Sequence, residues 1–158
     1  MKRPDVRVTL CVLTMAFCAF GVPAQKSRPS VSTAEVTGTF RMNFTGKFKG
    51  SYDEIKIASI GRGKIRVFMD LLYPYKLPNG DDMANLGQLD DDFSIKGDTA
   101  TYTTPSGACT LTIRFLRPGT IKVEQKGDDA DCGFGHNVMA DGTYRKVSSR
   151  KPKFDDAK

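Results

Sequence analysis

Few side chains in this sequence are suited to chemistry, and their spacing argues against turnover. His136 is the only imidazole, and it lies between Gly135 and Asn137. Acyl transfer needs a nucleophile held against a base, and no serine stands in the Gly-x-Ser-x-Gly setting that presents one. Paired carboxylates can protonate a leaving group and activate water only if one of them stays protonated at neutral pH. Asp81, Asp82, Asp90, Asp91 and Asp92 are expected in polar loops, where water keeps them ionised. Asp128, Asp129 and Asp131 form a second oxygen-rich cluster, and neither cluster has the full calcium-loop pattern with its central glycine and terminal glutamate. A single histidine and one remaining cysteine pair cannot build a zinc site. The reading is a non-enzyme, with no catalytic residue, metal or cofactor assigned.

The cysteines speak to compartment. Lys2, Arg3 and Arg7 precede the uncharged run 8–20, and Val22 and Ala24 occupy the small positions of a cleavage site, so residues 1–24 read as a signal peptide. That run is too short to span a bilayer, which implies a secreted or periplasmic protein without a membrane span. Cleavage removes Cys11 and Cys18 and leaves Cys109 and Cys132, an even pair expected to form a disulfide in an oxidising compartment. The formal charge of +6 falls once the basic leader is gone, and no segment interleaves Lys and Arg with aromatics on one face. Nucleic acid is therefore excluded as a partner.

The elements that must position these residues alternate with period two. Val36, Gly38, Phe40 and Met42 share one strand face, Ile55 and Ile57 another, and Ile65, Val67 and Met69 alternate with Lys64, Arg66 and Asp70. Gly61-Arg62-Gly63 supplies a tight hairpin turn. Phe93 and Ile95 mark a further strand, and residues 99–104 another, bounded by Gly97-Asp98 and Pro105-Ser106-Gly107. Cys109, Leu111, Ile113 and Phe115 form one face of a strand that turns at Arg117-Pro118-Gly119 into Ile121 and Val123. The last strand covers residues 142–147. About eight short strands with no amphipathic helix predict an all-β fold, a small antiparallel up-and-down barrel, with a β-sandwich as the alternative. Gly38-Thr39-Phe40-Arg41 and Gly142-Thr143-Tyr144-Arg145 share a spacing that suggests matching roles at a barrel seam. The organisation is then a flexible lead-in over 25–34, the barrel domain over 35–148 and a basic flexible tail over 149–158.

Two segments stand out for recognition. Tyr73, Tyr75 and Lys76 stand in the run Tyr73-Pro74-Tyr75-Lys76-Leu77-Pro78, where the prolines stiffen the two tyrosines, and tyrosine offers a rigid apolar body with a polar tip. Phe134, His136 and Asn137 lie in the loop 127–142 near Cys132, where a bridge would reduce the entropy lost on binding. The alternative role for the tyrosines is to close one end of the barrel. Asn43-Phe44-Thr45 matches the N-glycosylation sequon, which is relevant only in a eukaryotic secretory route.

In its general build of a leader, a short meander and one disulfide, the chain is similar to periplasmic lysozyme inhibitors. That resemblance implies a rim loop inserted into a lysozyme cleft. The Ser-Gly-x-x-Tyr loop of several such families is absent, with Gly50-Ser51-Tyr52 as a rearranged echo of it. Gly38-Thr39-Phe40 together with Arg145 also resembles the calycin barrels, in which a Gly-x-Trp strand is crossed by a basic residue from the last strand. Here phenylalanine replaces tryptophan. This second resemblance implies a carrier of a small apolar ligand, whereas the inward Ile, Val, Leu, Phe and Met side chains imply a filled interior. The expected partner is thus a protein or a cell-envelope component.

Overall fold

The structure, a computed structural model, describes residues 30–154 except Pro118; the signal-peptide reading falls on residues outside that range. Eight antiparallel strands run in chain order as a closed meander: β1 (Gly38–Asn43), β2 (Tyr52–Gly61), β3 (Lys64–Lys76), β4 (Asp82–Lys96), β5 (Thr99–Thr103), β6 (Thr110–Leu116), β7 (Thr120–Lys126) and β8 (Gly142–Ser148). Closure comes from β8 pairing with β1. The barrel expected from the alternation is therefore present, and the sandwich is not. No helix among the described residues is long and apolar enough to cross a membrane.

Every strand contributes one face to the interior. Phe40, Ile55, Ile57, Ile65, Val67, Met69, Leu111, Ile113, Ile121, Val123 and Tyr144 are essentially inaccessible to solvent and belong to one cluster. Burying one such side chain stabilises the fold by about 1.5–3 kcal/mol, which explains why a strict inside-outside alternation fixes register.

The two tetrads do meet at the seam. Arg41 pairs with Arg145 and Phe40 with Lys146, and an irregularity follows before Thr39 pairs with Ser148. At Gly38 a Cβ would lie 2.3 Å from the Ser148 carbonyl oxygen, so this close approach requires glycine. The residue crossing Phe40 is Lys146, not the expected Arg145. Alternation explains the correction: Tyr144 points inward, so Arg145 points out and Lys146 returns to the inner side. The Lys146 ammonium sits 5.1 Å from the Phe40 ring centre and donates to the carbonyl oxygens of Ala34, Glu35 and Thr37 at 2.7–3.0 Å. Those carbonyls end α1 (Thr33–Val36), a single turn started by a capping box between Ser32 and Glu35. The part of the expected lead-in from Ser32 onward is thus ordered against the barrel. Burial lowers the Lys146 pKa, and the Glu35 charge partly offsets this.

Candidate binding surface at the arm end of the barrel

The two ends of the barrel differ in what their connections carry. At one end the strands are joined by the short turns around Arg62, Gly97 and Gly119, and α1 lies over it. The other end carries every long connection: residues 44–51, the β3–β4 turn, residues 104–109 and residues 127–141.

The largest feature at this end is an arm. β3 and β4 pair continuously from Lys64↔Ser94 to Lys76↔Asp82, whereas β2 accompanies β3 only as far as Asp70, and β5 meets β4 only at Ser94–Lys96. Residues 72–86 therefore project past the barrel as a two-stranded ribbon. Its turn is held by the Leu77 and Asp81 backbones at 2.9 Å, by Asn79 bonding to Asp81, and by Lys76 against Asp82 at 2.6 Å. The expectation of loops over the acidic run is corrected here. Asp90, Asp91 and Asp92 lie within β4, because Arg66 binds Asp90 through two 2.9 Å hydrogen bonds and Lys64 lies 3.9 Å from Asp92. Cross-strand pairs on a solvated face make a strand of what reads locally as a polar loop.

Tyr73 and Tyr75 continue the inward parity of Met69 and Leu71, but past the barrel mouth that face meets solvent. Tyr73 is 41% exposed and Tyr75 half-buried, opposite Asn85 and Met83. Lys76 is on the other face and exposed. The arm and its surroundings also hold several of the exposed large apolar side chains, namely Tyr52, Leu77, Met83 and Leu86 besides Tyr73.

The 127–141 loop packs onto the base of the arm. Phe134 was expected on the contact rim, and its side chain is instead buried: with Val138 it fills the space over Gly87, where a Cβ would lie 2.7–3.0 Å from both. It plugs the barrel mouth. Gly135 N–H donates to the Leu86 carbonyl at 2.9 Å, and Asn85 Nδ2 donates to the His136 carbonyl at 2.7 Å. The backbone around His136 is therefore joined to the strand opposite Tyr73, while the His136 side chain is 83% exposed. Asn137 adopts φ 64° and donates its backbone N–H to Asp129.

This loop spends its carboxylates internally. Asp128 and Asp131 exchange backbone-to-side-chain hydrogen bonds at 2.7 and 3.2 Å, and Asp129 accepts the N–H groups of Asn137 and Ala130, which hold its pKa below the usual carboxylate range. The Cys109–Cys132 disulfide, with Cα atoms 5.0 Å apart, ties the loop to the start of β6. Gln125 secures both loop ends: its amide N–H donates to Gly127 and Asp128 carbonyls at 3.2 Å, and its oxygen accepts Ala140 N–H at 2.9 Å. Nothing local in the sequence marks Gln125 for this role.

Asp53 also escaped the sequence reading, although counting back two residues from Ile55 places it on the inner face. It is the buried charged residue of the described core, 2% exposed, and accepts Leu72 N–H at 2.7 Å. Burial pushes its pKa up to about 6, helped by the Asp70 charge and opposed by the Leu72 hydrogen bond. Nearby, the Tyr144 hydroxyl donates to Ala140 at 3.0 Å, and burial followed by the Asp53 and Asp141 charges raises its pKa. Asp53 ties β2 to β3 where their ladder has ended, at the root of the arm. Comparison with protein-family models, curated proteins and solved structures finds no match.

Proposed function

We propose that the protein is an exported, non-enzymatic binding module that takes a protein or cell-envelope partner at the arm end of the barrel, without cofactor or metal. The observation that carries this reading is the placement of Tyr73 and Tyr75 on a projecting ribbon whose strand β4 is hydrogen-bonded to the disulfide-tied His136–Asn137 segment. A rigid surface with exposed tyrosine and aliphatic side chains loses little entropy on association and gains apolar contact. Lysozyme is the specific protein partner suggested by the general build.

The calycin-like carrier remains as a second reading, favoured by the Lys146–Phe40 contact across the seam. The density of inaccessible aliphatic and aromatic side chains inside the barrel weighs against it, since a carrier needs an internal space of roughly 300–1,000 Å³. The test is retention of purified protein on a cell-envelope preparation, with a cell-wall clearing assay for lysozyme inhibition alongside. Replacing both Tyr73 and Tyr75 by Ala should reduce retention at least tenfold with the melting transition unchanged. Equal retention of the variant, or saturable uptake of an apolar probe with no envelope retention, would remove the proposal.

A further inference from the structure

The β1–β2 connection and the outer edge of β3 border an open cleft whose other wall the tyrosine argument does not use. One wall is Phe44, ahead of the 3-10 turn Gly46–Phe48, and Phe48, the last residue of that turn; the other is Tyr73, Pro74 and Tyr75. The cleft continues over the β3 edge toward Leu72 and Met83, and its two parts have volumes of about 470 and 370 Å³. Lys47 and Lys49 stand over it. Among the described residues neither has a carboxylate within ion-pairing distance, in contrast to Lys76, which is engaged by Asp82. Lys47 instead lies 4.9 Å from the Phe48 ring centre.

From these groups we infer that the cleft is a site for an acidic polysaccharide, with pyranose rings stacked on the aromatic walls and carboxylates held by Lys47 and Lys49. This deepens the envelope-partner reading and rests on it. Three observations select the occupant. Two lysines with no carboxylate in reach among the described residues call for an anion, since a charge-assisted contact is stronger than a neutral one. The flat faces of Phe48 and Tyr73 suit the C–H faces of sugar rings. The strand edge is closed to a peptide: where β2 no longer pairs, Leu72 N–H is already taken by Asp53, and two residues on, in the same orientation, Pro74 has no N–H. An extended peptide adding as a strand would therefore meet no donor at two successive positions of this edge, whereas a glycan needs no backbone donors. A flat anionic membrane fits less well, because Phe44 and Phe48 are half-buried in the walls of a concavity and do not project.

The chain contains no tryptophan, so the emission of its five tyrosines is not masked, and two of them, Tyr73 and Tyr75, line the cleft. The experiment titrates the full protein with a uronic-acid hexasaccharide, a neutral glucose hexasaccharide, a glutamate decapeptide and vesicles containing anionic lipid, by calorimetry and tyrosine emission. Saturable 1:1 binding of the uronic-acid hexasaccharide is expected, at least tenfold tighter than the other three. It should weaken with salt and fall at least tenfold in the double variant Lys47→Glu, Lys49→Glu and in Phe48→Ala. Equal binding of the neutral sugar, the peptide or the vesicles, or an unaffected double variant, overturns the inference, and so does absence of hexasaccharide binding. Failure here with tyrosine-dependent envelope retention intact would leave the broader function standing.

Discussion

The turn end and the arm end of this barrel solve opposite problems with the same strands. At the turn end short connections leave little to position, and Lys146, a charged group on the inner side of the seam, is saturated by two carbonyls of α1 and that of its cap Thr37. At the arm end two strands outrun their neighbours, a carboxyl group is buried at the start of β2, and the connections carry a plug, a disulfide and two lysines that have no carboxylate partner among the described residues. The difference lies in exposure: the body closes around its core, while the arm end adds, beside a disulfide and a plug that share in that core, apolar side chains that stay open to solvent. Loops placed on a rigid scaffold are the usual seat of recognition for this reason.

The sharpest way to break this comparison is to make the body expendable. Ile113 is fully buried between Ala100 on β5 and Val123 on β7. Ile113→Ala removes methylene contacts and leaves a cavity, so it should cost about 2–5 kcal/mol in a urea melt. A cost below about 1 kcal/mol would mean that the interior is loosely filled, and it would return the carrier reading to the front.

How far the two ends were readable in the sequence follows the same division. The body strands were legible because Phe40, Ile55, Val67, Leu111 and Val123 alternate with polar residues, and burial of one face decides their register. The arm was not. Pro74, Asn79-Gly80 and the run Asp90–Asp92 look like loop chemistry, and only pairing with the distant Arg66 and Lys64 makes the acids part of a strand. Phe134 was misplaced because its burial depends on the space above Gly87, forty-odd residues earlier in the chain. A usable signal lies in residues 44–49, where two phenylalanines and two lysines are interleaved beside the sequon Asn43-Phe44-Thr45.

Asp53 gives a smaller and more selective test, since it belongs to both regions. Its folded pKa of about 6 lies above the ordinary carboxyl value near 3.8, so the folded state holds more protons between these limits. Stability from this group is therefore complete below pH 4 and is lost as the pH rises through 6. Between pH 4.5 and 7.5 the wild type should lose about 2 kcal/mol on going to the higher pH. Asp53→Asn can still accept the Leu72 N–H and should flatten that slope in urea melts across the same range. An unchanged slope would show that Asp53 titrates in water and does not brace the arm.

The smallest expected effect is the most informative about function. Tyr73 projects from the arm beyond the last β2–β3 pair, so its ring contributes little burial to the barrel. Tyr73→Ala should therefore change stability by no more than about 0.5 kcal/mol, the range of surface substitutions that remove no core contact or cap. Retention on the envelope preparation should nevertheless fall, because a rigid aromatic at the centre of a contact contributes far more to association than to the fold of the free protein. A loss of stability comparable to that of Ile113→Ala would mean that the arm folds back on this ring as part of the core. The division between a stabilising body and a recognising rim would then fail at the residue on which it most depends.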